Sequence, residues 1–536
     1  MEFDYINYPY SSRRQTVFAQ NGMVCSSQPL VSQLGVEILR KGGNAVDAAV
    51  GAAAALTVLE PTSNGIGSDS FTLVWYQNQL YGLNSSGPAP ANISAEKIKE
   101  KGYDSMPRYG ALPVTVPGAP ASWSKLSARF GELSLAEVLK PAINYAREGY
   151  PVAPTTARCW EIAYDKYRKV LNGEQFKPWF DIFAPRGRAP QPGEIWKSPH
   201  QAETLSAIAE TGADSFYRGK TAEKISDFIQ QQGGFLTYED LADFNPEWVT
   251  PLKINYRGYD VWELPPNGQG LVALIALNIL KGFDFEVNNH VDSCHKQLEA
   301  IKLAFADGKK YITDREMMSI RPQKFLSDEY GAQRRNLITG TAGSPEPGQP
   351  SRGGTVYLAA ADRYGNMVSF IQSNYMGFGS GLVVPETGIA LQNRGHNFTL
   401  DPKHDNCIKP GARPYHTIIP GFLTKNDRAV GPFGVMGGFM QPQGHLQLIM
   451  NTIDFQLNPQ AALDAPRWQW LEDRKVKVEP DFPTSTAQQL ARRGHDIEIA
   501  LDSLSFGRGQ IIWKDQDSGV YAGGTEPRTD GCIAGF

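Results

Sequence analysis

One segment near the middle of the chain consists mainly of residues that cannot pack as a regular element. Seven of the twelve residues from 343 to 354 are Gly or Pro, which favour turns and loops over helices or strands. Residues 355–361 then form a short apolar run, the polar residues 362–366 indicate a turn, and residues 367–373 form a second apolar run. Two such runs around a turn predict a β-hairpin. A loop therefore leads directly into the first residue of a buried hairpin.

The rest of the chain predicts a mixture of helices and strands. Residues 31–59 indicate two helices separated by Gly42-Gly43-Asn44, and the second is apolar all round, so it must be covered on every side. Further predicted elements are a strand at 71–76, a mainly helical stretch at 119–228, a helix start at Thr237, a strand at 254–264, a buried helix at 270–280 and a helix at 445–453. No internal repeat interrupts this order.

Length and composition limit the classes of function. A chain of 536 residues is long enough for several domains or one large layered domain. Hydrophobic residues make up 41% and charged residues 20%, and the net charge is -4, so small-molecule substrates fit better than nucleic acid. The longest apolar run, residues 45–59, contains Asp47 and is shorter than the roughly 20 residues of a membrane span. Residues 1–30 resemble no secretory signal, so a cytoplasmic location is expected.

Neither a metal nor a cofactor is predicted. The five cysteines are odd in number and lack Cys-x-x-Cys spacing, so reduced thiols are expected. The histidines are scattered, and the nearest two, His290 and His295, do not have the spacing of a helical ligand pair. Gly65 and Gly67 precede a strand instead of opening a helix, so they do not indicate a dinucleotide site.

Thr355 is the residue that best combines position with chemistry. A cut between Gly354 and Thr355 would leave a free α-amine beside the Thr355 hydroxyl. An amine with a pKa of about 7.7–8 can act as general base at neutral pH. The alternative is that Thr355 merely begins a strand after a linker, and the pattern alone leaves both interpretations open.

A resemblance adds weight to the catalytic interpretation. Several short phrases resemble γ-glutamyltransferases and occur in the order found in that family. These phrases are Gly42-Gly43-Asn44-Ala45-Val46-Asp47-Ala48-Ala49, Pro61-Thr62-Ser63-Asn64-Gly65-Ile66-Gly67, Val116-Pro117-Gly118, Gly233-Gly234, Tyr256-Arg257-Gly258-Tyr259, Pro265-Pro266 and Ala465-Pro466-Arg467. The resemblance implies an α/β fold, the four-layer αββα sandwich of N-terminal-nucleophile (Ntn) hydrolases. It also implies self-cleavage into a large subunit, residues 1–354, and a small subunit, residues 355–536, which share one domain as an αβ heterodimer and can dimerise further.

The same resemblance implies a set of catalytic residues. Thr355 is expected to be the nucleophile. Ser373, at the end of the second hairpin strand, is expected to contact it and assist cleavage. Gly437 and Gly438 are expected to provide the backbone N–H groups of an oxyanion hole, because paired glycines allow such groups to point at one spot.

The substrate-binding positions depart from the family pattern. Family members hold the α-carboxylate of a γ-glutamyl group with an arginine in the large subunit and a Ser-Ser pair in the small one. Residues 84–90 contain no arginine, and Ala412 and Arg413 are aligned with the serines. Arg394 and Asn397 occupy the region that normally binds the α-ammonium. A cation facing an ammonium is unfavourable, whereas arginines suit a carboxylate.

These departures favour an acyl group that ends in a carboxylate and lacks an α-amine. Arg394, Asn397, Arg413 and Tyr375 are the predicted substrate-binding residues. The leading hypothesis is hydrolysis of a small acidic amide, such as an oxamate or glutaryl amide, through an acyl ester on Thr355. One alternative is a hydrolase or transferase of γ-glutamyl compounds. Another is an uncut binding or storage protein in which Thr355 is unreactive.

Overall fold

The structure, a computed structural model, describes residues 14–344 and 354–536. The helices in these ranges are α1 (Pro29–Arg40), α2 (Ala45–Leu59), α3 (Ala95–Glu100), α4 (Ala119–Phe130), α5 (Leu135–Glu148), α6 (Pro154–Val170), α7 (Lys177–Phe183), α8 (Pro199–Thr211), α9 (Asp214–Arg218), α10 (Lys220–Gln231), α11 (Tyr238–Ala242), α12 (Gly270–Leu280), α13 (Val291–Tyr311), α14 (Pro322–Phe325), α15 (Asp328–Arg335), α16 (Met440–Ile453), α17 (Pro459–Asp464) and α18 (Thr484–Arg492). Short 3₁₀ helices lie at Glu174–Phe176 and Arg394–Asn397.

The strands in the same ranges are β1 (Val17–Ala19), β2 (Gly22–Ser26), β3 (Asp69–Tyr76), β4 (Gln79–Ser85), β5 (Tyr150–Pro151), β6 (Ile195–Trp196), β7 (Glu247–Val249), β8 (Leu252–Tyr256), β9 (Tyr259–Glu263), β10 (Gly354–Asp362), β11 (Met367–Tyr375), β12 (Val383–Val384), β13 (Ile389–Ala390), β14 (Gly421–Lys425), β15 (Arg428–Met436), β16 (Trp468–Glu472), β17 (Lys475–Val478), β18 (Asp496–Ile499), β19 (Arg508–Lys514), β20 (Tyr521–Thr525) and β21 (Cys532–Gly535). Every helix in the described ranges is too short or too polar to traverse a bilayer.

Two seven-stranded sheets form the centre of the molecule. The nucleophile sheet has the order β21-β2-β10-β11-β3-β4-β7, and the second sheet has the order β1-β20-β19-β15-β14-β9-β8. Apolar side chains from both sheets, such as Phe71, Tyr357 and Phe422, pack together between them. Helices cover the outer face of each sheet, so the predicted four-layer αββα sandwich is confirmed.

Helix α2 lies under the nucleophile sheet and is buried along its whole length. Asn44 and Asp47 form a capping box at its first turn, which satisfies backbone N–H groups that would otherwise be unpaired. The helix packs against α1, α5 and β10. The two helices predicted within residues 31–59 are therefore confirmed, and the apolar surface of α2 is covered on all sides.

Helices α12 and α16 cover the second sheet, α13 packs against both of them, and α12 spans the predicted residues 270–280 with every residue buried. The strand predicted at 254–264 is wrong in one respect, because it is two antiparallel strands, β8 and β9. Arg257 and Gly258 form the turn between them with φ of 53° and 84°. The buried positions change from Ile254 and Tyr256 to Val261 across this tight turn. The sequence pattern hides this change because apolar residues follow the turn in both phases, Tyr259 and Val261 in one and Trp262 and Leu264 in the other.

The predicted hairpin is the central pair of the nucleophile sheet. Strands β10 and β11 pair antiparallel, with Gly354 opposite Tyr375 and Ala361 opposite Met367. The carboxylate of Asp362 closes the turn by accepting hydrogen bonds from the backbone N–H groups of Tyr364 and Asn366. Thr355 is thereby fixed as the second residue of a central strand. Most of the predicted Gly/Pro-rich loop, residues 345–353, lies outside the described residues.

Candidate active site

Thr355 lies at the edge where β10 begins, with its side chain between the two sheets. The residue has no exposed surface. Its Oγ1 donates a hydrogen bond to Ser373 Oγ at 3.2 Å and accepts one from Gln441 Nε2 at 3.3 Å. Ser373 Oγ also accepts a hydrogen bond from the backbone N–H of Tyr375 at 2.7 Å. The hydroxyl predicted to be the nucleophile is therefore held by the predicted serine and by a side-chain amide.

That amide, Gln441, is a contact of Thr355 that the sequence interpretation missed. It lies in the first turn of α16, and its Oε1 accepts a hydrogen bond from the backbone N–H of Ile419 at 2.9 Å. The acceptor end is thus occupied, which leaves the NH₂ group to face Thr355. The sequence contains a signal, because Gln441 stands three residues after Gly438 in the same glycine-containing turn.

Gly437 and Gly438 form the turn between β15 and α16. Their φ values are 132° and 60°, which residues with a side chain rarely adopt. Among the described residues, neither backbone N–H has a hydrogen-bond partner. Their carbonyls accept from Met440 and Gln441 and so begin the helix. A pair of unoccupied N–H groups at a helix N-terminus is suited to stabilising an oxyanion.

Gln269, at the start of α12, ties this turn to the opposite wall of the site. Its Nε2 donates to the carbonyls of Gly438 at 2.9 Å and Thr417 at 2.5 Å. Its Oε1 accepts from the hydroxyl of Tyr415 at 3.1 Å. Because both ends of the side chain are bonded, the position of the oxyanion turn is fixed relative to residues 415–417.

Arg394 is fully buried beside the nucleophile. Its Nε and Nη2 donate to the two oxygens of Asp69 at 3.0 and 3.1 Å, and its Nη1 donates to Thr417 Oγ1 at 2.7 Å. Asp69 faces Ser373 across the β3–β11 ladder. His416 Nε2 also contacts Asp69, at 2.6 Å. The predicted substrate-binding arginine is therefore part of a buried ion pair next to the Thr355–Ser373 contact.

The titration of this cluster follows from burial and charge. Burial by itself would raise the pKa of Asp69, but Arg394 and His416 outweigh it and lower the pKa to about 2. Burial lowers the pKa of His416 to about 4, and the Arg394 charge acts in the same direction. At neutral pH the cluster therefore consists of one cation, one anion and a neutral imidazole.

Tyr375 joins the cluster from the end of β11. The guanidinium of Arg394 lies 4.6 Å from the centre of the Tyr375 ring. The backbone of Tyr375 has φ of 73°, an uncommon conformation for a residue with a bulky side chain. Since Tyr375 is opposite Gly354 in the ladder, the arginine and the tyrosine lie close to the predicted cleavage point.

The other two predicted substrate-binding residues, Asn397 and Arg413, have their hydrogen-bond partners outside this cluster. Asn397 donates from Nδ2 to the carbonyl of Tyr415 at 3.0 Å and is half-buried in the wall of a large cavity. Arg413 contacts the carbonyl of Ser86 at 3.0 Å and Glu247 at 3.5 Å. No contact among the described residues joins Arg413 to Thr355, so its binding of an acyl carboxylate stays a prediction.

The large cavity has a volume of about 2020 Å³ and adjoins the oxyanion turn. Asn397, Tyr415 and Phe439 form its inner wall, and Phe439 directly follows Gly438. The rings of Tyr415 and Phe439 stack with their centres 5.7 Å apart. The cavity therefore reaches the residue that directly follows the oxyanion turn.

A cluster suited to metal ligation lies elsewhere and joins residues that are far apart in the sequence. His295, Glu299 and His495 converge with ligand atoms within 4.8 Å of one another, and His295 Nδ1 lies 2.9 Å from His495 Nε2. Lys302 Nζ lies 2.8 Å from Glu299 Oε1 and 3.4 Å from His495 Nδ1. An ammonium thus provides the positive charge of this cluster. All five cysteines are free thiols, as predicted.

Comparison with known proteins decides the family. Residues 31–536 match the family described as Gamma-glutamyltranspeptidase. This chain belongs to the gamma-glutamyltranspeptidase family. It is therefore an Ntn amide hydrolase, and the predicted family is confirmed.

Three known proteins resemble the chain over nearly its whole length. The glutathione hydrolase-like YwrD proenzyme of Bacillus subtilis (strain 168) is 37% identical, over 97% of this chain and 100% of the relative. The oxamate amidohydrolase proenzyme of Klebsiella pneumoniae is 33% identical, over 96% and 98%. The crystal structure of a cephalosporin acylase from Bacillus halodurans is 62% identical with a TM-score of 0.97, over 100% of this chain and 99% of that one.

Proposed function

We propose that the chain cleaves itself before Thr355 and then hydrolyses amides of small acyl groups that carry a carboxylate. The observation that carries this proposal is the setting of Thr355, whose hydroxyl contacts Ser373 and Gln441 at the start of a central strand. The two N–H groups of the Gly437–Gly438 turn complete the arrangement. These are the parts that a hydroxyl nucleophile and its oxyanion need.

The first reaction is an intramolecular acyl shift. Thr355 Oγ1 attacks the carbonyl carbon of Gly354, the bond from that carbon to the Thr355 nitrogen breaks, and the hydroxyl proton passes to the nitrogen. Water then hydrolyses the resulting ester between Gly354 and Thr355. The products are a carboxylate on Gly354 and a free α-amine on Thr355, beside the hydroxyl that the amine now activates as general base.

The second reaction repeats this chemistry on a substrate. The Thr355 hydroxyl attacks the amide carbon, its proton passes through the α-amine to the leaving nitrogen, and the amine departs. The acyl group remains as an ester on Thr355 until water releases it as an acid. Whenever the acyl ester on Thr355 forms or is hydrolysed, the oxygen of the attacked carbonyl becomes negative, and the N–H groups of Gly437 and Gly438 stabilise that oxygen.

The charges beside Thr355 favour an acyl group without an α-amine. A γ-glutamyl group carries an ammonium, which needs an anionic partner when buried. Both oxygens of Asp69 are already bonded to Arg394 and His416, and Asn397 is uncharged. Of the five guanidinium N–H groups of Arg394, three donate to Asp69 and Thr417, and the remaining two suit a carboxylate. The names of two relatives, a cephalosporin acylase and an oxamate amidohydrolase, agree with this choice.

The experiment compares two chromogenic substrates that differ only in the α-amine. Glutaryl-p-nitroanilide lacks the amine and γ-glutamyl-p-nitroanilide has it. We expect kcat/KM to be at least about tenfold higher for the glutaryl compound, because burying one unpaired ammonium costs more than about 1.4 kcal/mol. A preference for the γ-glutamyl compound would establish the second candidate, a glutathione hydrolase, which the 37% identical relative favours. The αβ heterodimer and the cytoplasmic location stay predictions.

A further inference from the structure

Lys309 on α13 presents a charge for which the described residues provide no hydrogen bond. Its Nζ is buried and has no hydrogen-bond partner among them. The surroundings are aromatic, with ring centres at 5.2 Å for Trp470 and 5.8 Å for both Phe305 and Phe439. We call Lys309 and these three rings the lysine cage.

The aromatic rings of such a cage make up for only part of the hydration that a buried ammonium loses. Each ring attracts the cation through its negative face, but a ring does not replace a hydrogen bond or a counter-ion. Burial accordingly lowers the pKa of Lys309 to about 8, against the opposing charge of Glu472. Most of the side-chain population is still charged at pH 7, so an anion that reaches the ammonium would be bound favourably.

The position of the cage connects it with the active site. Lys309 and Phe439 both line the large cavity of about 2020 Å³, and Phe439 follows the oxyanion residue Gly438 in the chain. The cage is built from residues on both sides of the predicted cut, Phe305 before it and Trp470 after it. An amide whose carbonyl oxygen occupies the oxyanion turn would therefore extend one of its ends along this wall.

The other charges around the cavity also favour an anionic ligand. Asp307, on the same helix, is bound by Arg334 at 2.6 and 3.1 Å, so that acid does not neutralise Lys309. The cavity lining as a whole contains six lysines and arginines against four acids, Asp104, Asp307, Glu329 and Asp401, so it is positive on balance. A lysine has a flexible four-carbon stem, so its ammonium can turn from the rings toward a ligand without movement of α13.

We propose that the lysine cage binds an anionic group on the amine that leaves, so that the preferred substrates carry a carboxylate at both ends. This rests on the proposed function, because it assigns one end of the amide to the Thr355 site and the other to the cavity. It adds a property that the Thr355 site does not determine, namely the chemical class of the leaving amine. Amines of the amino-acid type have the required charge.

The test uses two leaving groups on the same acyl group. Glutaryl-p-nitroanilide has a neutral leaving amine, and glutaryl-3-carboxy-4-nitroanilide has an anionic one. We expect the native enzyme to favour the carboxylated compound, and Lys309→Met to lower the ratio of the two kcat/KM values about tenfold, mainly through KM. Lys309→Arg, which keeps the charge, should retain most of the preference.

Lys310→Met is the matched control, because Lys310 lines the same cavity but is exposed. It should leave the ratio within about twofold. If Lys309→Met changes both substrates equally, the residue has a structural role and the proposal is overturned. If the enzyme instead turns over only the corresponding γ-glutamyl pair, the acyl assignment fails, while the ratio measured on that pair still decides the role of Lys309.

Discussion

Two buried cations flank the oxyanion turn, and their surroundings are opposite. Arg394 has a bidentate carboxylate, a hydroxyl and an aromatic ring as partners. Lys309 lies among aromatic rings, and although the charge of Glu472 acts on it, its ammonium has no hydrogen bond among the described residues. A fully paired charge fixes the geometry around it, whereas an unpaired charge retains the capacity to bind an anion. The comparison therefore separates a cation that has its own counter-ion, and can offer a ligand only its two remaining N–H groups, from a cation without an ion pair among the described residues.

Breaking the Arg394 pair should produce the largest effect. Asp69→Asn leaves a buried guanidinium without its counter-ion, and we expect the free energy of unfolding to fall by about 3–5 kcal/mol in chemical denaturation. The double variant Asp69→Asn/Arg394→Met should recover part of this loss. Asp502→Asn, which removes an exposed ion pair with Arg158, should cost less than about 1 kcal/mol. Equal losses in Asp69→Asn and Asp502→Asn would contradict the assigned difference in burial.

The contact between Gln441 and Thr355 should matter for rate more than for stability. Gln441→Glu keeps an acceptor for Ile419 but removes the NH₂ group that faces Thr355 Oγ1. We expect the appearance of the two fragments in freshly translated protein to slow about 10–100-fold, the equivalent of one lost buried hydrogen bond. Gln447→Glu, on the same helix and bonded to Trp468, is the control and should cleave at the normal rate.

The pH dependence of stability should report the paired region. The pKa of His416 is about 4 in the folded protein and about 6.5 when unfolded, so the unfolded chain binds the proton first as pH falls. The full contribution of His416 to the free energy of unfolding is therefore present above a pH of about 6.5. As the pH falls from there to about 4, this contribution decreases by about 1 kcal/mol per pH unit. Thermal midpoints between pH 7.5 and 4.5 should fall less steeply in His416→Gln than in native protein. The exposed His200→Gln should retain the native slope.

Removing the unpaired cation should have the smallest effect on stability. Lys309→Met replaces a buried ammonium by an apolar side chain of similar length, so no partner is left without its counter-ion. We expect the free energy of unfolding to change by less than about 1 kcal/mol, or to rise. A loss as large as that of Asp69→Asn would show that the rings compensate the ammonium fully, and it would remove the contrast between the two cations.

The sequence predicted the parts of the molecule that depend on local pattern. The hairpin after residue 354, helix α2 and helix α12 follow from apolar runs and from the turn residues beside them. The Arg257–Gly258 turn was missed because apolar residues follow it in both phases of a two-residue period, which hides the change of the buried positions. Local pattern therefore determined the elements better than their boundaries.

The partners within the site could not be predicted in the same way. Arg394 and Asp69 are 325 residues apart in the chain, and Gln441 and Thr355 are 86 apart. Such pairs form only when both sheets are assembled, and no spacing in the sequence records them. The resemblance identified Thr355, Ser373 and the two glycines by position, whereas the pairing of Arg394 and the isolation of Lys309 required the fold.

The mass of the purified protein tests the central claim most directly. We predict two fragments, residues 1–354 and 355–536, whose masses add up to the 59.0 kDa chain plus one water, with Thr355 as the first residue of the smaller one. Thr355→Ala should remain a single chain without activity. A native preparation that hydrolyses glutaryl-p-nitroanilide while its chain is uncut, or a small fragment that begins at another residue, would contradict the account.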